Sequence, residues 1–429
     1  MLIYTPTITS RIKYIFQYIG EITGLSVELT DSISRYKNAP TTKLNYSSEK
    51  IEENEYQIIP CGLLQEKGIR IVEIKMNNSG PIPFFFETPG TFPFDLPAAI
   101  FYLISRYEEY LSFIPDLYER YPHENSLATK ENFLHRPLVD EWMNEWMKQL
   151  QVFFPSLPIR VPMFRFIPTY DIDIAWSYLH KSVIRNMGGA IKNLNTISER
   201  IRVLAGKEKD PYDCYDTLRQ LHQEYEQRPI YFFLVANKKS SLDKNINPHN
   251  KAFKQLIEKT STHAIVGLHP SGYSHTDPSI VNTEKKFLEK IIERSVIHSR
   301  QHYLKFSLPK TYHTLVKAGI THDYSMGYGS VNGFRASTSR SFLWYDLKME
   351  EVTSLRIHPM AWMDANSYYE NKFTPAEALD ELEKTYKRVN DLGGDFIMIS
   401  HNHLLGDRSE WVGWPDLYFN WCNKIYQEL

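Results

Sequence analysis

The sequence predicts an α/β protein in two parts: a smaller α/β domain over residues 1–155, and a closed or nearly closed barrel of parallel strands and helices over residues 156–429. Three observations carry this. Beyond residue 160, short apolar runs rich in aromatic and β-branched residues alternate with longer stretches of helical periodicity, the pattern of strands covered by helices on both faces. Six or more such units fit into about 265 residues, the size of a closed α/β barrel. Between the two parts, FFPSLPIRVP holds Pro155, Pro158 and Pro162, and prolines at that density resist regular structure and suit a linker.

In the first part, RIKYIFQYIGEITG (residues 11–24) has apolar residues at helical spacing and ends on Gly24, which favours a helix C-terminus. IRIVEIKM (69–76) alternates and reads as a strand. LPAAIFYLISRYEEYL reads as a helix with Pro97 in its first turn, where a missing N–H costs nothing. PLVDEWMNEWMKQLQ is a further helix.

In the second part the strands are read from MFRFIPTYDID, PIYFFLVA, HAIVGLH, SRQHYLKF, HDYSMGY, SFLWYDL, LRIHPMAWM and DFIMISH. The helices between them are CYDTLRQLHQEYEQ, NKAFKQLIEKT, NTEKKFLEKIIERS, LPKTYHTLVKAGI and PAEALDELEKTYKRVNDLGG.

Composition excludes several functions. Lysine and arginine number 49 against 51 acids, with no dominating basic stripe, so nucleic acid is not an expected partner. No apolar run reaches the roughly 18 residues that a membrane span needs. Cys61, Cys214 and Cys422 have no metal-ligand spacing and read as free thiols of a reducing compartment. The first 20 residues lack the apolar core and small-residue site of a secretion signal, and a cytoplasmic location is the expectation.

Chemistry is expected where strands end. Asp171 and Asp173 close the first strand of the second part, and alternation sets both on one side of it. Two like charges that close disfavour one another unless a cation or a reaction uses them. His269, Arg300, His302, Asp364 and His401 also stand at or after strand ends. An Asp and a His suit a divalent metal; a second carboxylate can take a proton from water, and a His opposite can protonate a leaving group. This set predicts metal-assisted hydrolysis.

The order of TYDID, GLHPS, an Arg-bearing strand and a strand ending in His resembles the polysaccharide deacetylases of the NodB-homology, carbohydrate esterase family four type. It is closest to a divergent bacterial branch with an extra N-terminal domain, and covers roughly residues 160–429. The resemblance implies a deformed (β/α) barrel that removes N- or O-linked acetyl groups from a carbohydrate with one divalent ion, zinc first and cobalt, nickel or manganese as alternatives.

It further implies Asp171 as base, Asp173 and His269 as metal ligands, and His401 as general acid. Arg300 would support the base, with Arg335 in GFRAST as competitor. The family's second metal histidine falls on Tyr273, so His275 and His302 compete for the third ligand position. Two alternatives stay open: a decayed site that binds a glycan or partner without cleaving it, and hydrolysis of another amide or ester. In the first part, Glu108, Glu109, Arg106 and Arg120 suggest a polar network roofing the barrel mouth.

Overall fold

The computed structural model describes residues 1–429, apart from the side chains of Val183, Ala190, Lys192 and Ser409. It is mixed α/β, with two sheets. The smaller sheet has strands β1 (Leu2–Tyr4), β2 (Glu28–Thr30), β3 (Lys43–Asn45) and β4 (Tyr56–Gln57), in the order β2-β1-β3-β4 and parallel throughout.

Helix Ser10–Thr23 ends as its sequence predicts, on Gly24 in the left-handed conformation at φ 71°. Helix Leu96–Ile104 is buried along its whole length and starts at Asp95, whose carboxylate accepts from the Ala98 N–H. The stretch read as a strand at 69–76 is neither strand nor helix. Its alternation is real, with Ile69, Val72, Ile74 and Met76 packing on the core, but only Asn77, just beyond it, finds a bridge partner, Phe84.

The larger sheet has nine strands: β5 (Arg165–Ile172), β6 (Ile230–Phe233), β7 (Ile265–Leu268), β8 (His298–Ser299), β9 (His322–Asp323), β10 (Phe342–Asp346), β11 (Glu351–Ile357), β12 (Trp362–Met363) and β13 (Asp395–His401). Their order is β10-β11-β9-β8-β7-β6-β5-β13-β12, all parallel except the β10–β11 hairpin.

A flat sheet would separate β11 from β12 by seven inter-strand gaps, about 34 Å. The chain joins them through residues 358–361, a link that spans about 18 Å at most from the end of β11 to the start of β12. The sheet is therefore strongly curled. The chain entering β12 reaches the β9 side of the sheet where the Met360 N–H donates to Met326 O at 3.1 Å, while the Ala361 N–H donating to Ile397 O at 2.9 Å begins the pairing of β12 with β13. Among the described residues no ladder joins β9 to β12.

Residues 154–164 are neither helix nor strand. The segment before them packs directly on the larger sheet. The Tyr14 hydroxyl donates to Leu343 O at 2.7 Å, the rings of Tyr14 and Tyr345 lie 5.0 Å apart, and Arg11 pairs with Glu350. Trp362, Trp411 and Trp414 are all buried in the main core.

Candidate metal centre

The register of β5 against β13 sets Asp171 beside His401, and the Thr169 hydroxyl ties the two strands by donating to Met398 O at 2.7 Å. β6 and β7 follow, so His269, one residue past β7, reaches the same rim. The segment read as a strand at 299–306 is strand only at its first residue, where Ser299 closes β8. The chain then turns through a short helix, His302–Leu304, with Tyr303 at φ 59°. That turn carries His302 over the sheet end.

Asp173, His269 and His302 converge, each offering one ligand atom within 4.8 Å of the others. His269 Nδ1 lies 2.5 Å from the Arg300 carbonyl, an acceptor only, so Nδ1 carries the proton and Nε2 presents a lone pair 3.1 Å from Asp173 Oδ1. His302 Nδ1 lies 3.1 Å from Asp243 Oδ1, which leaves its Nε2 facing Asp173 Oδ1 at 3.6 Å. Asp173 Oδ1 is buried and has no hydrogen-bond partner.

Acceptors that meet this way need a cation between them, either a proton or a metal. A carboxylate oxygen and two imidazole nitrogens, each ring fixed by a bond to its other nitrogen, fit a divalent ion such as zinc. Burial opposes the charge on His302, but Asp173 and Asp243 together outweigh it and lift His302 to about 9. Burial likewise opposes ionisation of Asp173, yet His302 and His269 hold its carboxyl well below the usual range.

Asp171 is held from beneath. Arg300 Nη1 donates to its Oδ1 at 2.8 Å, and Arg300 Nε donates to Tyr324 O at 3.1 Å. The guanidinium lies over the Phe232 ring at 4.4 Å. That ring presses on the neighbouring strand at Gly267, where an added Cβ would come 2.5 Å from Phe232. Asp171 Oδ2 is left facing His269 Nε2 at 3.8 Å.

Opposite stands His401. Its backbone N–H donates to Asp364 Oδ2 at 2.7 Å and its Nδ1 lies 2.6 Å from Asp364 Oδ1, so Nε2 is turned towards Asp173 Oδ2 at 3.9 Å. Burial works against a charge on His401, but Asp364 and then Asp173 raise it to about 9. Its neighbour His403 is pushed the other way, to about 3, by burial and the nearby His401.

These groups open on a cavity of about 400 Å³. Tyr118 and Arg120 of the first part line it beside Tyr303 and Tyr369. Arg120 is anchored by Asp116 and by donation to Tyr303 O at 2.8 Å.

Of the residues singled out from sequence, the structure brings Asp171, Asp173, His269, Arg300, His302 and His401 together. His275 lies in a separate turn, Gly272–His275, facing Lys305, Lys310 and Glu119. Tyr273 is partly exposed beneath Lys238. The residue grouped with Asp173 and His269 is thus His302, in the turn after the next strand, and not one at the end of GLHPSGYSH.

Arg335 is far from Asp171 in its bonding. It grips both oxygens of Glu109, at 2.8 and 2.6 Å, and donates to Gly327 O. Asp243 was missed in the sequence reading. It sits in the loop after β6, at the rim where the strand-end rule directs attention, but in a polar run with no periodicity. Asp364 was placed on the rim without its role of orienting His401.

A profile of a family of unknown function, DUF7033, matches residues 1–155. No curated protein matches the chain. Among solved structures, the chain is similar to a Mycobacterium smegmatis protein provisionally named a polysaccharide deacetylase, at 12% identity and TM-score 0.40, over 64% of this chain and 92% of that one. It is similar to the polysaccharide deacetylase Bc1974 of Bacillus cereus at 12% identity and TM-score 0.30, over 61% and 88%. It is also similar to a BA3943 mutant, a CE4 family pseudoenzyme with restored enzymatic activity, at 8% identity and TM-score 0.31, over 62% and 64%. Likeness at this level is coarse, one mixed α/β structure to another.

Proposed function

We propose that the protein is a metal-dependent hydrolase that removes an acetyl group, N- or O-linked, from a carbohydrate. The observation that carries the reading is Asp173 Oδ1, buried and unpaired, facing two imidazole nitrogens beside a second carboxylate. Asp173, His269 and His302 would hold a divalent ion, zinc first, which supplies Lewis-acid polarisation of the scissile carbonyl.

The chain's own groups do the rest. Asp171, fixed by Arg300, accepts a proton from the attacking water at its free Oδ2. Water oxygen bonds to the acetyl carbon. His401, charged and aimed by Asp364, gives its proton to the leaving amine or alkoxide as the C–N or C–O bond breaks, and acetate departs. Carbohydrate as substrate rests on the motif resemblance, with support from the tyrosine faces of Tyr118, Tyr303 and Tyr369 on the cavity wall.

The curled sheet is read here as a deformed barrel and residues 1–155 as an accessory domain whose Tyr118–Arg120 corner helps select substrate. A cytoplasmic setting belongs to the same proposal, supported by three free cysteines. Elemental mass spectrometry of the purified protein beside Asp173→Ala tests the core of it. About one ion per chain that vanishes in the variant supports the reading and leads to a screen of acetylated sugars. No ion in either, after incubation with zinc or cobalt, overturns it in favour of glycan binding without turnover.

A further inference from the structure

Helices Val183–Lys192 and Ile197–Leu204 lie between β5 and β6 and expose much of their apolar surface. Ile184, Met187 and Ile191 share one helical face at i, i+3 and i+7, and they are 83%, 60% and 76% exposed. Leu194, Ile201 and Leu204 continue the exposed apolar surface. The inward side is polar in the first helix, while the second buries Val203. Asn186 is buried, donating to Tyr178 O at 3.0 Å and accepting from Arg200 at 2.8 Å. A surface helix of a soluble protein puts its apolar stripe against the core.

The same segment concentrates positive charge. Residues 181–209 hold seven lysines and arginines against two glutamates, in a chain whose net charge is -2. Between the helices and the body lies a pocket of about 440 Å³ lined by Lys181, Arg185, Arg200, Arg408, Tyr178 and Tyr212. Three carboxylates stand near it: Glu410 pairs with Arg408 at 2.8 Å, Glu199 accepts from the Tyr178 hydroxyl at 3.0 Å, and buried Asp210 accepts from the backbone N–H groups of Ser177 and Tyr178 at 2.8 Å each. They do not balance four cations. Arg200 Nε and Arg408 Nε are buried without partners.

An added Cβ at Gly189 would sit 2.9 Å from the Arg200 guanidinium, so the glycine makes the close approach of that group to the helix. Burial and the neighbouring Arg185 draw Lys181 down to about 8, which an anion in the pocket would relieve. The pocket is one ring away from the candidate metal centre, since Tyr212 touches His403 with centroids 5.8 Å apart and His403 lines the central cavity.

We propose that this helix pair seats the protein on an anionic membrane surface, apolar face in the interface, and that the basic pocket behind it takes a lipid phosphate. Aliphatic side chains outward with cations alongside is the composition of helices that lie in a lipid interface. Among the described residues no helix is long and apolar enough to cross a membrane, and the proposed contact is a peripheral one. Taken with the hydrolase reading, and resting on it in this clause alone, the acetylated sugar is one carried on a lipid phosphate.

The test is flotation of the full chain with vesicles of phosphatidylcholine alone and of phosphatidylcholine mixed with phosphatidylglycerol. Binding to the mixed vesicles is expected, with loss of about tenfold or more in Ile184→Glu and about fivefold in Arg185→Gln. Both sites are on the surface segment, and unchanged thermal melting shows the variants fold. Diphosphate is expected to release the protein where chloride at equal ionic strength does not. Asp173→Ala is expected to float like the parent, which separates this inference from the fate of the hydrolase reading. Equal binding to both vesicle types, no binding, or binding indifferent to Ile184→Glu overturns the proposal. So does a dimer in solution that Ile184→Glu splits, which gives the face to a second copy of the chain.

Discussion

Two of the buried arginine–carboxylate pairs, Arg335–Glu109 and Arg300–Asp171, do different work. Arg335 and Glu109 form a sealed pair. Glu109 gives both oxygens to Arg335 and also accepts from Arg106 at 2.7 Å, while the Arg335 guanidinium covers the Phe306 ring at 4.1 Å. Arg335 and Arg106 draw the Glu109 carboxyl below its usual range although burial pushes it up. Arg300 and Asp171 use the same two kinds of group and leave the bonding unfinished. Arg300 Nη2 is buried without a partner, Asp171 Oδ2 meets only a histidine at 3.8 Å, and the pair opens on a cavity. Buried charge by itself does not mark a site. Incomplete pairing beside open space does.

The sharpest way to break that contrast is to neutralise each carboxylate. Asp171→Asn is expected to lower turnover of an acetylated sugar by about 10²–10⁴-fold with metal content unchanged. Glu109→Gln is expected to leave the rate per folded molecule near that of the parent. Equal losses in steady-state assays would erase the distinction.

Stability reverses the ranking. Removing Glu109 leaves the buried Arg335 guanidinium without a carboxylate and Arg106 with Glu108 alone, so Glu109→Ala is expected to cost about 3–5 kcal/mol in urea unfolding. Asp171→Asn is expected to cost less, because water in the cavity can solvate Arg300.

A third substitution asks whether the open cluster is aimed from behind. Asp243→Asn weakens the hold on His302 Nδ1 and is expected to reduce metal affinity about 10–100-fold by competition with a chelator, with the fold intact. Unchanged affinity would mean His302 needs no orienting partner.

The smallest effect concerns a buried polar group with no charge at all. His222 lies between the hydroxyls of Tyr170 and Tyr426, and burial lowers it to about 3. The unfolded chain takes that proton near pH 6.5 and the folded one refuses it until about 3, so stability rises with pH between those values. A loss of about 1.4 kcal/mol at about pH 5.5 is expected, and it should disappear in His222→Gln. A pH profile identical in the two proteins would assign the acid sensitivity elsewhere.

Much of the second part was legible because strand ends carry chemistry and the strands themselves are apolar. The TYDID, GLH and MISH segments gave Asp171, Asp173, His269 and His401 without any knowledge of register. Helix Pro375–Asp391 was readable for a local reason too: Thr374 and Glu377 cap one another's backbone. What escaped depends on contacts distant in the chain. The two- and three-residue strands β1 to β4 are too short to show periodicity, and IRIVEIKM has periodicity without a partner strand. His302 outcompetes the nearer His275 because a turn after β8, and not spacing along the chain, aims it. Arg335 carries the same side chain as Arg300 and finds Glu109 first. The helices at 183–204 went unassigned, and in the first of them polar Asn186 is the residue that packs.

Phe232 fills the space that the missing side chain of Gly267 leaves, and its ring is the floor on which Arg300 lies beneath Asp171. A methyl group at 267 would tip the ring, and a smaller residue at 232 would leave the guanidinium without its seat. The three positions can therefore change only as a set. In descendants of this gene, drift at either apolar position should be silent only after compensation at the other, so two uncharged residues that never touch a substrate hold a veto over the evolution of the base.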